Sequence, residues 1–257
     1  MTTHGLLKEN NRGSSDRPHN TYTFVVTRRF LQLLPGRDHE AAALAALIEG
    51  PFQLPSHSDI HTDGRPASEA VVLLEGLACQ YRLLDSARRQ MVGFITPGDF
   101  CDFGFLSNSP VRQRVMTLGP ATIGRIDLAQ LGSLSNSLPN IILAGMRAAS
   151  IQHAAAQELI VSLGTRDAQQ RLAHLLCEIY TRLSDVGCVE ADGKFDFALT
   201  QSELGEALGL SNVHVNRTIQ QLRKQNLIAM SRSKVTMLNF AGLAKIASFS
   251  PAYLRVH

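Results

Sequence analysis

The cysteines of this chain have no partners in sequence. Cys79, Cys101, Cys177 and Cys188 lie far apart with no Cys-x-x-Cys spacing. That argues against a disulfide framework and against a thiolate-held zinc or iron–sulfur centre. No apolar run reaches the roughly 20 residues that span a bilayer. The opening stretch, "MTTHGLLKENNRGSSDRPHN", lacks the apolar centre of an export signal and is mostly polar, so residues 1–22 read as a disordered tail. G-x-S-x-G, P-loop, G-x-G-x-x-G and H-E-x-x-H motifs are all missing, and 23–137 holds no catalytic constellation. Internal repeats and low-complexity tracts are absent too. These gaps point to a cytoplasmic chain with no membrane partner, no metal and no enzymatic activity.

What is present begins with size: 257 residues with ample apolar content allow one large core or two modest ones. The formal charge of +3 is only a faint pointer to an anionic partner. Residues 38–49, "DHEAAALAALIE", predict a short helix with Asp38 as N-cap and Gly50-Pro51 as its end. From 51 to about 126, short β-rich runs alternate with turn residues ("SEAVVLLEG", "LACQYRLL", "RQMVGFI", "TPGDF", "QRVMTL", "ATIGRI"), the texture of an antiparallel roll or barrel. In "LACQYRLL", Leu77, Cys79, Tyr81 and Leu83 share one face and Gln80 and Arg82 the other, as in a half-buried strand. Residues 139–163 predict a helix of roughly 37 Å, with Pro139 in its first turn. Its stripe of Ile142, Met146, Ala149, Ala156, Leu159, Ile160 and Leu163 suits pairing with a second copy. Gly164 interrupts that pattern, "TRDAQQRLAHLLCEIYTRL" starts another amphipathic helix, and 186–196 is a loop or hairpin.

The most informative stretch is 199–228, "LTQSELGEALGLSNVHVNRTIQQLRKQNLI". Thr200-Gln-Ser-Glu203 is a capping box that starts a helix at Gln201. Gly209 ends that helix and Ser211 caps the next. Val215, Ile219 and Leu222 then define a buried face. Asn212, Val213, Asn216, Arg217 and Gln220 fall on the opposite side, the inventory of a major-groove reader: Arg for guanine, Asn or Gln for adenine, a small apolar group for a thymine methyl. Downstream, "LIAM" and "VTML" flank the basic turn "SRSK", a two-stranded wing that sets Arg232 and Lys234 beside a phosphate backbone. Thr200, Ser202, Ser211, His214 and Arg223 complete the expected backbone contacts. Between 200 and 235, Arg217, Arg223, Lys224, Arg232 and Lys234 outnumber Glu203 and Glu206, which gives the charge that non-specific affinity needs. Double-stranded DNA is the expected partner. The alternative is a protein-interaction or enzyme-regulatory module whose winged helix binds no DNA.

Other chemistry is sparse. "HSDIHTD" (His57, Asp59, His61, Asp63) reads as a solvated loop rather than a metal site, since a strand and turn need not bring the two His onto one face. Cys79 reads as core. Cys101 lacks the basic neighbour that would activate it, and Cys188 is the most accessible thiol.

The order of β-roll, long helix and winged helix-turn-helix resembles the Crp/Fnr superfamily of bacterial transcription regulators over roughly residues 23–247. "LTQSELGEALGLSNVHVNRTIQQLRKQNLI", "VVLLEGLACQYRLL…RRQMVGFITPGDFCD" and "RDAQQRLAHLLCEIYTRL" carry the likeness. It implies an α+β chain divided into a tail (1–22), a jelly-roll-like cyclic-nucleotide-binding fold as sensor (23–137), a dimerisation helix (138–164), a winged helix-turn-helix (165–247) and a C-terminal tail (248–257). The implied molecule is a homodimer on a near-palindromic operator, with RNA polymerase as a further partner. The family's recognition-helix Arg falls on Arg217. Its acidic residue four positions earlier falls on Val213, so the operator should differ from the best-known family sequence. At the sensor, Asp102-Phe103 stand where cyclic-AMP binders carry Gly-Glu. Arg112 and Arg114 remain but are followed by Gln113 and Val115, and the helix offers Ala156 and Gln157 in place of hydroxyls. Asp102, Arg112, Arg114 and Gln157 are therefore the candidate effector-pocket residues. Cyclic AMP is not expected there, because a carboxylate beside a cyclic phosphate is repelled; another small effector stays open. The N-terminal Cys cluster of the iron–sulfur branch is missing.

Overall fold

The computed structural model describes residues 19–61, 68–83, 89–106 and 114–255. Two antiparallel sheets form the roll. β1 (Glu49–Leu54), β7 (Ala121–Asp127) and β3 (Glu69–Glu75) make one, with β7 in the middle. β2 (Asp59–His61), β6 (Arg114–Thr117), β4 (Ala78–Leu83) and β5 (Arg89–Ile95) make the other, in that order. β3, "EAVVLLE", is an unbroken apolar run because both its faces are covered. Val71 and Leu73 point into the roll with Ile95, Cys101, Val115 and Ile123. Ala70, Val72 and Leu74 point out into a helical layer.

That layer contains an element the sequence reading missed. α1 (His19–Leu33) starts inside the stretch read as tail and buries Tyr22, Val25, Val26, Phe30 and Leu33. α2 (Asp38–Ala46) follows, with Arg37 rather than Asp38 at the cap position, and Gly50-Pro51 belongs to β1. "TPGDF" forms the turn that follows β5. Asp127 caps α3 (Leu128–Ser137) by accepting from the amides of Ala129 and Gln130. α4 (Asn140–Thr165) runs on through Gly164 and breaks at Arg166 and Asp167. Its Ile141, Ala144, Ala148 and Ile151 join the α1 layer. The other side leaves Ile142, Met146 and Ile160 exposed, Met146 at 60% and Ile160 at 69%.

Asp167 opens α5 (Ala168–Asp185) with a capping box to Gln170. β8 (Lys194–Asp196), α6 (Gln201–Leu208), α7 (Asn212–Lys224), β9 (Ile228–Ser231), β10 (Lys234–Met237) and α8 (Phe240–Ala247) complete the C-terminal unit. The wing is three-stranded, in the order β8-β10-β9, so part of the 186–196 segment adds a strand. The last residues are no free tail: a 3-10 turn at Pro251–Leu254 buries Leu254. In the helix-turn-helix, Gly209 adopts φ 64 to end α6, and a Cβ on Gly205 would lie 2.6 Å from the Leu210 carbonyl.

The two units share one core. Leu77, Cys79, Tyr81 and Met91 of the roll pack with Leu172, Leu176, Leu204 and Leu208 of the C-terminal unit. The apolar face of β4 thus meets another domain, Gln80 is buried, and Leu83 is exposed. Beside this core runs a buried ionic chain. Asp99 Oδ2 accepts from Arg182 Nη2 at 2.7 Å, from Thr96 Oγ1 at 2.6 Å and from the Thr96 amide at 2.9 Å. Arg29 Nε lies 2.9 Å from Asp99 Oδ1. Arg182 also donates to Glu178 Oε1 at 3.1 Å and to the Phe94 carbonyl at 3.0 Å, and Tyr253 donates to Glu178 Oε2 at 2.8 Å. Burial alone would raise the Asp99 carboxyl; the two guanidiniums, aided by Thr96, instead hold it at about 2.

Two outcomes are expected. Asp99→Asn leaves the buried Arg29 guanidinium without its carboxylate and Arg182 with Glu178 alone, and should lower the unfolding free energy in urea by about 3 kcal/mol. Because the folded carboxyl titrates below its ordinary value of 3.8, that stabilisation is present above about pH 4 and lost toward pH 2, an acid limb the variant should lack. Gly205→Ala should destabilise by about 1–3 kcal/mol, the carbonyl clash outweighing a helix-propensity gain of about 1 kcal/mol; a raised urea midpoint would contradict it.

Candidate nucleic-acid interface

α7 owes its place to local chemistry. Ser211 Oγ accepts from the His214 amide at 3.3 Å and lies 3.1 Å from His214 Nδ1. Val215, Thr218, Ile219 and Leu222 are buried, and Thr218 commits its hydroxyl to the His214 carbonyl at 2.8 Å. The remaining face is bare. Asn212, Val213, Asn216, Arg217 and Gln220 are all exposed, Val213 at 77%. None of their side chains makes a hydrogen bond or ion pair with the described residues. The helix therefore presents one guanidinium, three amides and an isopropyl group along about two and a half turns, with donors left for an outside partner.

The flanking positions divide. Ser202 and Arg223 are exposed, with polar groups that no other described residue engages. Thr200 is exposed but committed to the α6 cap: its Oγ1 donates to Glu203 Oε2 at 2.7 Å and accepts from the Glu203 amide at 3.2 Å. Arg232 sits at the tip of the β9–β10 turn with φ 51, exposed and unpaired among the described residues. Lys234 is different. Its ammonium lies 3.0 Å from Glu190 Oε1 and 3.5 Å from Asp196 Oδ1, and the Glu190 hydrogen bond raises its pKa. Of the two cations in the basic turn, Arg232 is therefore the free one, and Lys234 braces the wing against β8.

The expected effector residues occupy different settings. Asp102 is buried and its Oδ1 accepts from the Gly104 amide at 2.8 Å. Arg114 opens β6 near Tyr81. Arg112 lies outside the described residues. Gln157 is on the exposed face of α4, away from its own roll. The helix residue that reaches the roll is Gln152, whose Nε2 donates to the Phe100 carbonyl at 3.1 Å. Gln80 Nε2 meets Gln152 Oε1 and the Cys101 carbonyl, each at 3.3 Å. Helical phase carries the signal that finds Gln152, since it neighbours Ile151 on the buried side.

His57 and Asp59 are exposed as expected, the His57 side chain at 50%, yet each has a partner. His57 Nε2 is 2.8 Å from Glu203 Oε1, and Asp59 Oδ1 accepts from Tyr81 at 2.9 Å. The His61 side chain and Asp63 fall outside the described residues. Burial pushes the Cys79 and Cys177 thiols up to about 12 and raises Cys101 as well; Cys188 is half-buried. Among the described residues no group of His, Cys, Asp and Glu is placed to hold a metal ion, and no helix is long and apolar enough to cross a membrane.

Known proteins match this architecture. A family model for the cyclic nucleotide-binding domain covers residues 51–137, and one for the Crp-like helix-turn-helix domain covers 170–246. The fumarate and nitrate reduction regulatory protein of Yersinia pestis is 23% identical over 82% of this chain and 83% of its own length. Its Escherichia coli K12 counterpart is 22% identical over similar shares, 82% and 83%. Among solved structures, FixK2 from Bradyrhizobium japonicum superposes with a TM-score of 0.67 at 20% identity, over 78% of this chain and 98% of that one. A CRP-family transcriptional regulator from Thermus thermophilus does so with a TM-score of 0.56 at 20% identity, over 77% and 97%. With the cyclic nucleotide-binding and Crp-like helix-turn-helix units matched in the same order, and a bare, capped helix within the second, the chain belongs to the Crp/Fnr superfamily of DNA-binding transcription regulators.

Proposed function

We propose that two copies of this chain pair along α4 and insert their α7 helices into successive major grooves of a near-palindromic operator. The free outward face of α7 carries the reading. Arg217 contacts guanine O6 and N7, Asn212, Asn216 and Gln220 read adenine edges or their neighbours, and Val213 meets a thymine methyl. Val213 can accept no hydrogen bond from a cytosine amino group, so the base opposite it is selected by shape and apolar contact. Arg232, Arg223, Ser202, Ser211 and the His214 region face phosphates; Lys234 and Thr200 support that surface from within.

The pairing seam is the exposed side of α4. Ile142, Met146, Ile160 and Val161 are open to solvent on a helix of 26 residues. Covering each of these partly exposed side chains stabilises by about 1 kcal/mol, and the seam repeats them on both copies. At the sensor, the buried Asp102 carboxylate and the Gln80–Gln152 bridge leave cyclic AMP poorly accommodated. Control therefore comes from another signal or from none. The reading is of a cytoplasmic, non-catalytic regulator that works alongside RNA polymerase.

Arg217→Ala should weaken operator binding by about 1–3 kcal/mol and flatten the preference at one base position, scored on duplexes carrying each single substitution. Arg232→Ala should weaken every duplex alike and make the salt slope shallower by about one, whereas Lys234→Ala should leave that slope in place. Full sequence preference in the Arg217 variant would remove that residue from the interface. Ile160→Asp should yield monomers in sedimentation; a persisting dimer would move the seam elsewhere.

A further inference from the structure

Only the break at Arg166–Asp167 joins α4 to α5 covalently. A hinge of that kind leaves a domain free to swing unless other contacts stop it. Two sets of contacts lie well away from it. Arg182 sits roughly 20 Å along α5 from the break, is 2% exposed, and is bound to Asp99 and the Phe94 carbonyl of the roll. The second set holds α6. Glu203 completes its helix cap with Oε2 alone, which accepts from the Thr200 amide at 2.7 Å. Its Oε1 is left for His57, 2.8 Å away on the roll. One turn on, Arg89 Nη2 is 3.5 Å from Glu206 Oε2, and Gln90 Nε2 donates to the Glu206 carbonyl at 3.3 Å.

His57 is prepared for this contact. Its amide donates to the Thr117 carbonyl at 3.0 Å, the Ser58 amide donates to Thr117 Oγ1 at 2.9 Å, and that hydroxyl donates to the Pro55 carbonyl at 2.8 Å. The loop thus holds His57 at φ 60 with its ring turned to the other unit. Glu203 is 3% exposed, so one oxygen of a buried carboxylate has its partner in the sensor domain. Folding of the winged helix does not call for that arrangement. Locking the two units together does.

We propose that His57 and Asp99 are positioning residues for operator reading: through Glu203 and Arg182 they fix each reading unit to its own roll, so the roll sets the distance between the two α7 helices. This rests on the dimeric DNA-binding reading above. A rigid two-headed reader binds tightly only where half-site spacing matches its span, whereas a loose one tolerates several spacings. Specificity for spacing then resides in residues that never touch DNA.

The test uses the full chain and a duplex enriched by the wild-type protein from a random-sequence pool. That duplex is rebuilt with its half-sites one and two base pairs closer or farther apart. Wild type should lose about tenfold in affinity per base pair of displacement, and a His57→Ala, Arg89→Ala double variant only about threefold. Dimer mass and affinity for a duplex with one half-site scrambled should not change. His57→Gln keeps a donor for Glu203 and should retain wild-type spacing preference; Asp99→Asn, where it folds, should relax it. A double variant with the wild-type preference overturns the proposal, as does one that binds every spacing more tightly, since the contacts would then hold a non-binding arrangement. Should the wild type enrich no duplex at all, the DNA-binding reading fails and the positioning role falls with it.

Discussion

Asp99 is buried, yet it stays ionised because charge reaches it from two directions. Arg29 comes from α1 and Arg182 from α5, while Thr96 of its own turn supplies two hydrogen bonds. Removing a carboxylate from water is unfavourable unless its partners are in place. Those partners belong to the N-terminal helices and to the reading unit, so the turn is well formed only when both are docked. Glu178 and Tyr253 extend the same requirement to the C-terminal turn. Four parts of the chain are thereby committed to one arrangement, and the shared apolar core around Leu77, Leu172 and Leu204 closes over the same junction.

The helix-turn-helix was legible because its instructions are local. A capping box spans four residues, the left-handed Gly209 ends α6, and the period of Val215, Ile219 and Leu222 assigns the buried face without reference to distant parts of the chain. The outward residues follow by subtraction, and all five emerge exposed. The roll was legible at the level of strand texture. Its continuous runs record two covered faces, but they do not reveal what covers the outer one.

What stayed hidden is long-range. His57 and Glu203 are 146 residues apart, and Arg182 and Asp99 are 83 apart. No periodicity links such pairs. The apolar face of β4 looked like an ordinary half-buried strand because alternation records burial and is silent about the partner. α1 was lost for a related reason: "TYTFVVTRRFLQLL" follows a polar lead-in and carries β-branched residues, and its helicity is enforced by packing on the roll and α4. Gln157 and Lys234 show settings that the sequence does not display: Gln157, placed by family correspondence, stands on an exposed side of α4, and Lys234, placed by the charge of its turn, pairs with two neighbouring carboxylates.

α4 faces two ways. One side carries Ile141, Ala144, Gly145, Ala148 and Ile151 into the core, with Gln152 beside them bonded to the turn that holds Asp99. The other side carries Ile142, Met146, Ile160 and Val161 into solvent. Small residues in the middle let both faces be approached closely. A shift of the 99–102 turn would pull on Gln152 and on Arg182 together, because both are bound within that same short segment. A displacement of that turn would therefore be felt by α4 and by the C-terminal unit at once, without having to pass along the chain through the break at Arg166.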